Sequence, residues 1–138
     1  MNRHICKAKS VYDGEWIYGY YVNVPWEYET SGVYLIIEPD AEYKGAGKFT
    51  WNCVSRVDPD TICRCTGKED KNGNLIFEHD IVVVKSDVPM TVCWDDDYAS
   101  FDAVYELDGV GLCCNSLCSS ERLEIVGNEF DNTELMRY

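Results

Sequence analysis

Thr66-Gly67-Lys68-Glu69-Asp70-Lys71-Asn72-Gly73-Asn74-Leu75-Ile76-Phe77-Glu78-His79-Asp80-Ile81-Val82 carries its own folding instructions. Gly67 and the pair Asn72-Gly73 supply the positive-φ conformations that a tight excursion of the chain requires. Ile76 and Phe77 begin a strand, Glu78 to Asp80 form a corner, and Ile81 to Val84 continue as an apolar, β-branched run too short for an ordinary helix. A strand pair bent in this way predicts a curved sheet or a small SH3-like barrel in the C-terminal half.

Alternation of period two extends outward from this stretch in both directions, as half-buried strands require. Trp16, Tyr18, Tyr20, Val22 and Val24 share one face, Phe49, Trp51 and Cys53 another, and Phe101, Ala103, Tyr105 and Leu107 oppose Asp102, Glu106 and Asp108. Val33 to Ile37 and Ile81 to Val84 are continuous apolar runs and read as central strands. Turn chemistry separates the runs at Asp13-Gly14, Ser31-Gly32, Gly45-Ala46-Gly47, Asp58-Pro59-Asp60, Asn72-Gly73 and Asp108-Gly109. The only helical signal comes at the end, where Asn132 can cap one or two turns over Thr133, Glu134, Leu135 and Met136. The predicted class is mostly β: short antiparallel strands form the bent sheet or barrel, packed on an N-terminal β segment, with one short C-terminal helix. A single domain over residues 1–138 is expected, with a possible subdivision into 1–60 and 61–138 at the Asp58-Pro59-Asp60 turn.

At 138 residues, 46% of them hydrophobic and 13% aromatic, the chain has enough apolar surface for one core without metals or crosslinks. It has no run of about 18 apolar residues. Met1 to Ser10 carries charges and lacks an apolar signal-peptide region, so a cytoplasmic protein is expected, neither exported nor embedded in a membrane. The eight cysteines then read as reduced, small and mostly buried. The formal charge of −13 is uneven, because residues 95–138 hold eleven Asp and Glu against Arg122 and Arg137. Such a field repels phosphate backbones and anionic lipid, which excludes direct nucleic-acid or membrane binding as the expected role.

The Thr66 to Val82 stretch resembles the hallmark of the YopX family of phage and prophage proteins, in which a Thr-Gly, an Asp-x-Asn-Gly and an aromatic-Glu-Gly-Asp-Ile-Val sequence follow one another. The matching positions here are Thr66, Gly67, Asp70, Asn72, Gly73, Glu78 and Asp80. Two further stretches are similar to the same family, Tyr12-Asp13-Gly14-Glu15-Trp16-Ile17-Tyr18-Gly19-Tyr20-Tyr21-Val22 and Leu123-Glu124-Ile125-Val126-Gly127-Asn128-Glu129-Phe130-Asp131-Asn132-Thr133-Glu134-Leu135. His79 stands where the family usually has Gly, and Thr133 where Pro is common. The resemblance implies a mostly β fold and a mobile-element origin, and no known activity.

Asp70, Glu78 and Asp80 are the carboxylates to weigh as a cluster for metal or acid-base chemistry. The structural reading outweighs it: Asp70 and Asp80 accept backbone hydrogen bonds in their turns, and Glu78 stays solvated. Cys63 and Cys65 share a strand face, and Cys113, Cys114 and Cys118 form a second group, yet there is no Cys-x-x-Cys pair and no nearby histidine for zinc. His4 and His79 are the only histidines, set in an acidic background that suppresses a nucleophilic thiol. No phosphate-cradling loop is present, and Gly45-Ala46-Gly47 reads as a plain loop. No catalytic, cofactor or metal residue is therefore assigned.

Two features point to partners. In the aromatic segment, Trp16, Tyr18 and Tyr20 are expected in the core, with Tyr21 and Ile17 on the face available to a partner. Asp95-Asp96-Asp97 is the best candidate for recognition of a basic protein surface. The expected function is a non-enzymatic protein-interaction module, with self-association through strand edges as one of its modes. The alternatives are an acidic mimic of nucleic acid that blocks a host DNA-binding protein or nuclease, and, behind it, a small hydrolase using Asp70, Glu78, His79 or Asp80.

Overall fold

The computed structural model describes residues 4–26, 29–39, 54–85 and 88–136. Among them the chain is mostly β, with eleven strands and three short 3-10 turns, and no helix long and apolar enough to cross a membrane. Backbone contacts divide the chain between Arg64 and Cys65 into two compact units.

The N-terminal unit contains β1 (Cys6–Lys9), β2 (Trp16–Trp26), β3 (Glu29–Ile37), β4 (Val54–Arg56) and the first two residues of β5 (Cys63–Glu69). All pair antiparallel, in the order β4-β3-β2-β1-β5. Val33 to Ile37 lies between β2 and β4, the central placement its apolar run predicts. Asp13-Gly14 and Asp58-Pro59-Asp60 are turns, with the Asp13 and Asp58 carboxylates accepting the N–H two residues on. Ser31-Gly32 is not the reversal expected of it: both residues lie within β3, where the β2–β3 register shifts and Gly32 takes φ +81°. Gly45-Ala46-Gly47 and the Phe49, Trp51, Cys53 alternation lie outside the described residues.

Alternation along β2 is as predicted, with Val22 and Val24 half-buried and Asn23 exposed, but over Ile17 to Tyr21 the two faces exchange roles. Ile17 packs against the buried Ala8, Ile36 and Val57, while Tyr18 and Tyr20 remain 49% and 45% exposed. The reason is steric. Gly19 lies on the Ile17 face, and a Cβ there would stand 2.3 Å from the Ile37 carbonyl and 2.9 Å from Ile36 Cγ2. That face therefore admits close packing of β3, and Tyr18 and Tyr20 are left on the other side. Trp16 lies beneath the ammonium groups of Lys7 and Lys9, 4.8 and 5.4 Å from its ring centre.

The C-terminal unit contains the rest of β5, β6 (Leu75–Phe77), β7 (Asp80–Val84), β8 (Met90–Asp95), β9 (Ser100–Leu107), β10 (Gly111–Ser116) and β11 (Leu123–Asn128). Five strands form an antiparallel sheet in the order β10-β9-β8-β7-β11. Among the described residues this sheet is open, with β10 and β11 at its edges, and is not closed into the small barrel that was one of the two expected forms. Its core gathers Ile76, Val82, Met90, Val92, Ala103, Leu117 and Leu123, with Phe101 and Tyr105 packed at the margin. β7 is buried on both faces, as a continuous Ile-Val-Val-Val run predicts.

The expected C-terminal helix is a single 3-10 turn, Thr133–Leu135, and Asn132 makes no side-chain cap. Its carboxamide oxygen is already committed, accepting the Asn128 N–H at 3.1 Å to close the reversal after β11.

Gly19→Ala is expected to lower stability by about 1–3 kcal/mol, because the clash is with backbone. Urea unfolding followed by tryptophan fluorescence measures it.

Candidate functional site

The Thr66 to Val82 stretch folds into a corner held by side chain to backbone hydrogen bonds. Asp70, at the end of β5, is buried. Its Oδ1 accepts the N–H groups of Asn72 and Asn74, both at 2.9 Å, and its Oδ2 accepts the Ile125 N–H at 3.2 Å. Lys71 N–H donates to the Leu123 carbonyl at 2.9 Å, so the β5–β6 turn is fastened to β11 from two adjacent residues. Asn72 and Gly73 complete the turn, with Gly73 at φ +81° and its N–H on the Asp70 carbonyl. Thr66 Oγ1 donates to the Ile76 carbonyl at 2.7 Å, and Gly67 at φ +79° lies where the β5–β6 register shifts.

Asp80 is equally buried, and its Oδ2 accepts the Phe77 N–H at 2.8 Å across the corner. Glu78 is half-buried beside it. His79 has φ +72°, donates its N–H to Val92 and accepts the Glu129 N–H on its carbonyl. Its ring Nδ1 pairs with the Glu129 carboxylate, and Phe130 meets it edge-on at 5.5 Å. Burial acts to raise the pKa of Asp70, but the N–H groups of Asn74, Ile125 and Asn72 outweigh it and hold the carboxyl below its ordinary value. A carboxylate so saturated with donors is poorly suited to act as a base.

The thiols fall into two classes. Cys63 and Cys65 are both buried and alternate with the exposed Arg64, so they do share a face. Cys63 donates to the Thr61 carbonyl, while burial, moderated by the Gly67 N–H and reinforced by Asp80, pushes the Cys65 thiol up. Cys113 is half-buried, and Cys114 and Cys118 are exposed. Among the described residues no three His, Cys, Asp or Glu side chains are grouped to hold a metal ion. His4 is exposed. Tyr21, the expected partner residue, is half-buried and stacked on Tyr34 at 6.2 Å, and burial followed by Tyr34 and Cys6 raises its hydroxyl pKa.

Asp95, Asp96 and Asp97 stand at the rim of a groove of about 490 Å³ on the C-terminal sheet. Asp102 joins them, Val104 and Leu112 supply apolar lining, and Cys93 and Cys114 lie between. Strand register accounts for this: Cys93 faces Asp102 across β8–β9, and Val104 faces Cys114 across β9–β10, all on the side opposite Val92 and Ala103. One oxygen of Asp95 accepts the N–H groups of Asp97 and Tyr98, and one of Asp96 accepts the Trp94 indole N–H at 2.7 Å, so the loop is shaped by its own carboxylates. Tyr98, at the tip, is 81% exposed. Among the described residues no basic side chain lines the groove. Sequence reasoning missed Asp102, Val104 and Leu112, whose only signal was their shared parity on neighbouring strands.

The family model for YopX protein matches residues 8–137, nearly the whole chain. The chain belongs to the YopX family. Comparison with curated proteins found none that matches. In this YopX chain the motif residues Thr66, Gly67, Asp70, Asn72, Gly73 and Asp80 all serve the geometry of one corner. At the position where the resemblance leads one to expect Gly, His79 adopts the left-handed conformation that explains the preference.

Asp70→Ala is expected to destabilise the fold by about 3 kcal/mol, since three N–H groups lose their acceptor. Because the folded pKa lies below the ordinary value of 3.8, the contribution of Asp70 is complete above that value and is lost as pH falls through it toward the folded pKa. Asp70→Asn should therefore lack this part of the acid dependence, which chemical denaturation at a series of pH values measures.

Proposed function

We propose that this YopX chain is a non-enzymatic interaction module of phage or prophage origin, working in the cytoplasm of a bacterial host, and that it takes a basic protein segment in the acidic groove of β8, β9 and β10. The observation that carries the reading is the composition of that groove: four carboxylates around an apolar strip, with no basic side chain among the described residues that line it. Ammonium or guanidinium groups of a partner would meet Asp95, Asp96, Asp97 and Asp102, while an apolar partner side chain covers Val104 and Leu112. Exposed ion pairs add only about 0.2–1 kcal/mol each, so the carboxylates chiefly attract and orient, and the covered apolar area sets the lifetime of the complex. Tyr98 at the rim is of the residue type that anchors interfaces.

Mimicry of nucleic acid uses the same carboxylates without the apolar strip. The spread of eleven acidic residues through 95–138 favours it as the second reading. A substitution that changes the strip and leaves the charge separates the two.

Fluorescence anisotropy with a labelled arginine-rich peptide carrying a central leucine tests the proposal. Saturable binding that weakens with salt is expected. The combined variant Asp95→Asn, Asp96→Asn, Asp97→Asn should lose roughly tenfold in affinity, about 1.4 kcal/mol. Val104→Thr should weaken binding under the segment reading and leave it unchanged under mimicry. An affinity indifferent to the triple variant would remove the loop from the interface.

A further inference from the structure

The two edges of the C-terminal sheet are built differently. β11 carries Glu124 and a register shift between Ile125 and Gly127, both of which discourage further strand addition. β10 carries neither. Its six residues pair with β9 without a shift, from Gly111 opposite Leu107 to Ser116 opposite Asp102. It has no charge and no proline, and all of its residues but Cys113 are exposed. Leu112 is 70% exposed and the adjoining Val110 72%. The uncharged stretch runs from Gly109 to Ser120, in a chain whose formal charge is −13.

We propose that the outer edge of β10, which pairs with no further strand among the described residues, is the site at which a second copy of this chain adds, strand to strand and antiparallel, about a two-fold axis perpendicular to the sheet. Backbone N–H and C=O groups along an edge strand accept only another extended strand, which fixes the kind of occupant. Charge selects the second copy. Two chains of this acidity repel wherever their carboxylates approach, and a twelve-residue neutral stretch is where they meet without like charges facing each other. Self-complementarity selects the register. With the axis at Cys113, Leu112 of each copy faces Cys114 of the other and Gly111 faces Asn115, so the exposed leucine is covered twice by a thiol of low polarity.

Two consequences follow from this geometry. A six-residue edge covers less than the roughly 1,200 Å² of a stable interface, so the dimer forms reversibly with concentration. The axis also places both acidic grooves on the same face of one continuous sheet, separated by the paired β10 strands. Salt acts with opposite sign on the two contacts: it screens the repulsion between copies and strengthens the dimer, while it weakens a basic segment in the groove.

Sedimentation equilibrium in reducing buffer, from about 10 to 300 µM at low and high salt, reads both effects, a range chosen for micromolar affinity. A monomer–dimer equilibrium that shifts toward dimer with salt is expected. Leu112→Lys should reduce association at least tenfold, while Tyr98→Lys, which makes the same change in net charge away from the edge, should leave it intact or strengthen it. Circular dichroism confirms that both variants fold. A short bis-maleimide should link two copies through the exposed Cys114 or its neighbour Cys113, and the double variant Cys113→Ser, Cys114→Ser should remove the link. A monomer at every concentration and salt, or a dimer indifferent to Leu112→Lys, would overturn the proposal.

Discussion

The C-terminal unit depends on one buried carboxylate. Asp70 holds three backbone N–H groups, two in its own turn and one on β11, fifty-five residues away along the chain. Together with the Lys71 N–H on the Leu123 carbonyl, it sets the register at which the β5–β6 turn meets β11, the strand that completes one side of the sheet. Asp80 repeats the device across the next corner, on Phe77. Both residues are buried at positions where an unpartnered carboxylate would be costly, and both are made tolerable by donors the backbone must satisfy in any case. The family motif is thus a set of turn-forming and turn-locking residues, and its acidic members need no reaction to account for them.

With that corner fixed, β8, β9 and β10 extend away from it and acquire two unlike surfaces. One is the groove, strongly acidic along its rim; the other is the bare edge of β10, free of charge. The acidic loop is itself a structural unit, since Asp95 and Asp96 each hold a donor within it.

The strands β2, β3, β7 and β9 and most of the described turns were legible because they rest on local physics, namely period-two alternation, β-branched runs and glycine or aspartate at reversals, whereas β1, β4, β8 and β10 carried no such signal. The structural roles of Asp70 and Asp80 were legible for the same reason. Other features depend on distant residues. Alternation on β2 could not show which face is inward, since both carry aromatic residues, and the deciding contact of Gly19 with Ile36 and Ile37 lies on another strand. Ser31-Gly32 has the composition of a turn and serves as a strand irregularity. Asn132 has the identity of a helix cap, but its oxygen is taken by Asn128. Barrel closure depends on the pairing of strands far apart in sequence, which curvature alone does not determine. Of the groove, the Asp95 to Asp97 rim was legible as a charge run, whereas Asp102, Val104 and Leu112 join it only through register.

The central claim is that the motif carboxylates lock backbone. Amide hydrogen exchange followed residue by residue tests it most directly. The Ile125 and Phe77 amides, which donate to Asp70 and Asp80, should exchange only when the C-terminal unit unfolds, as slowly as the amides of the β7–β8 ladder. Exchange of either amide orders of magnitude faster than that ladder would mean that the carboxylates are not holding them, and would contradict the account.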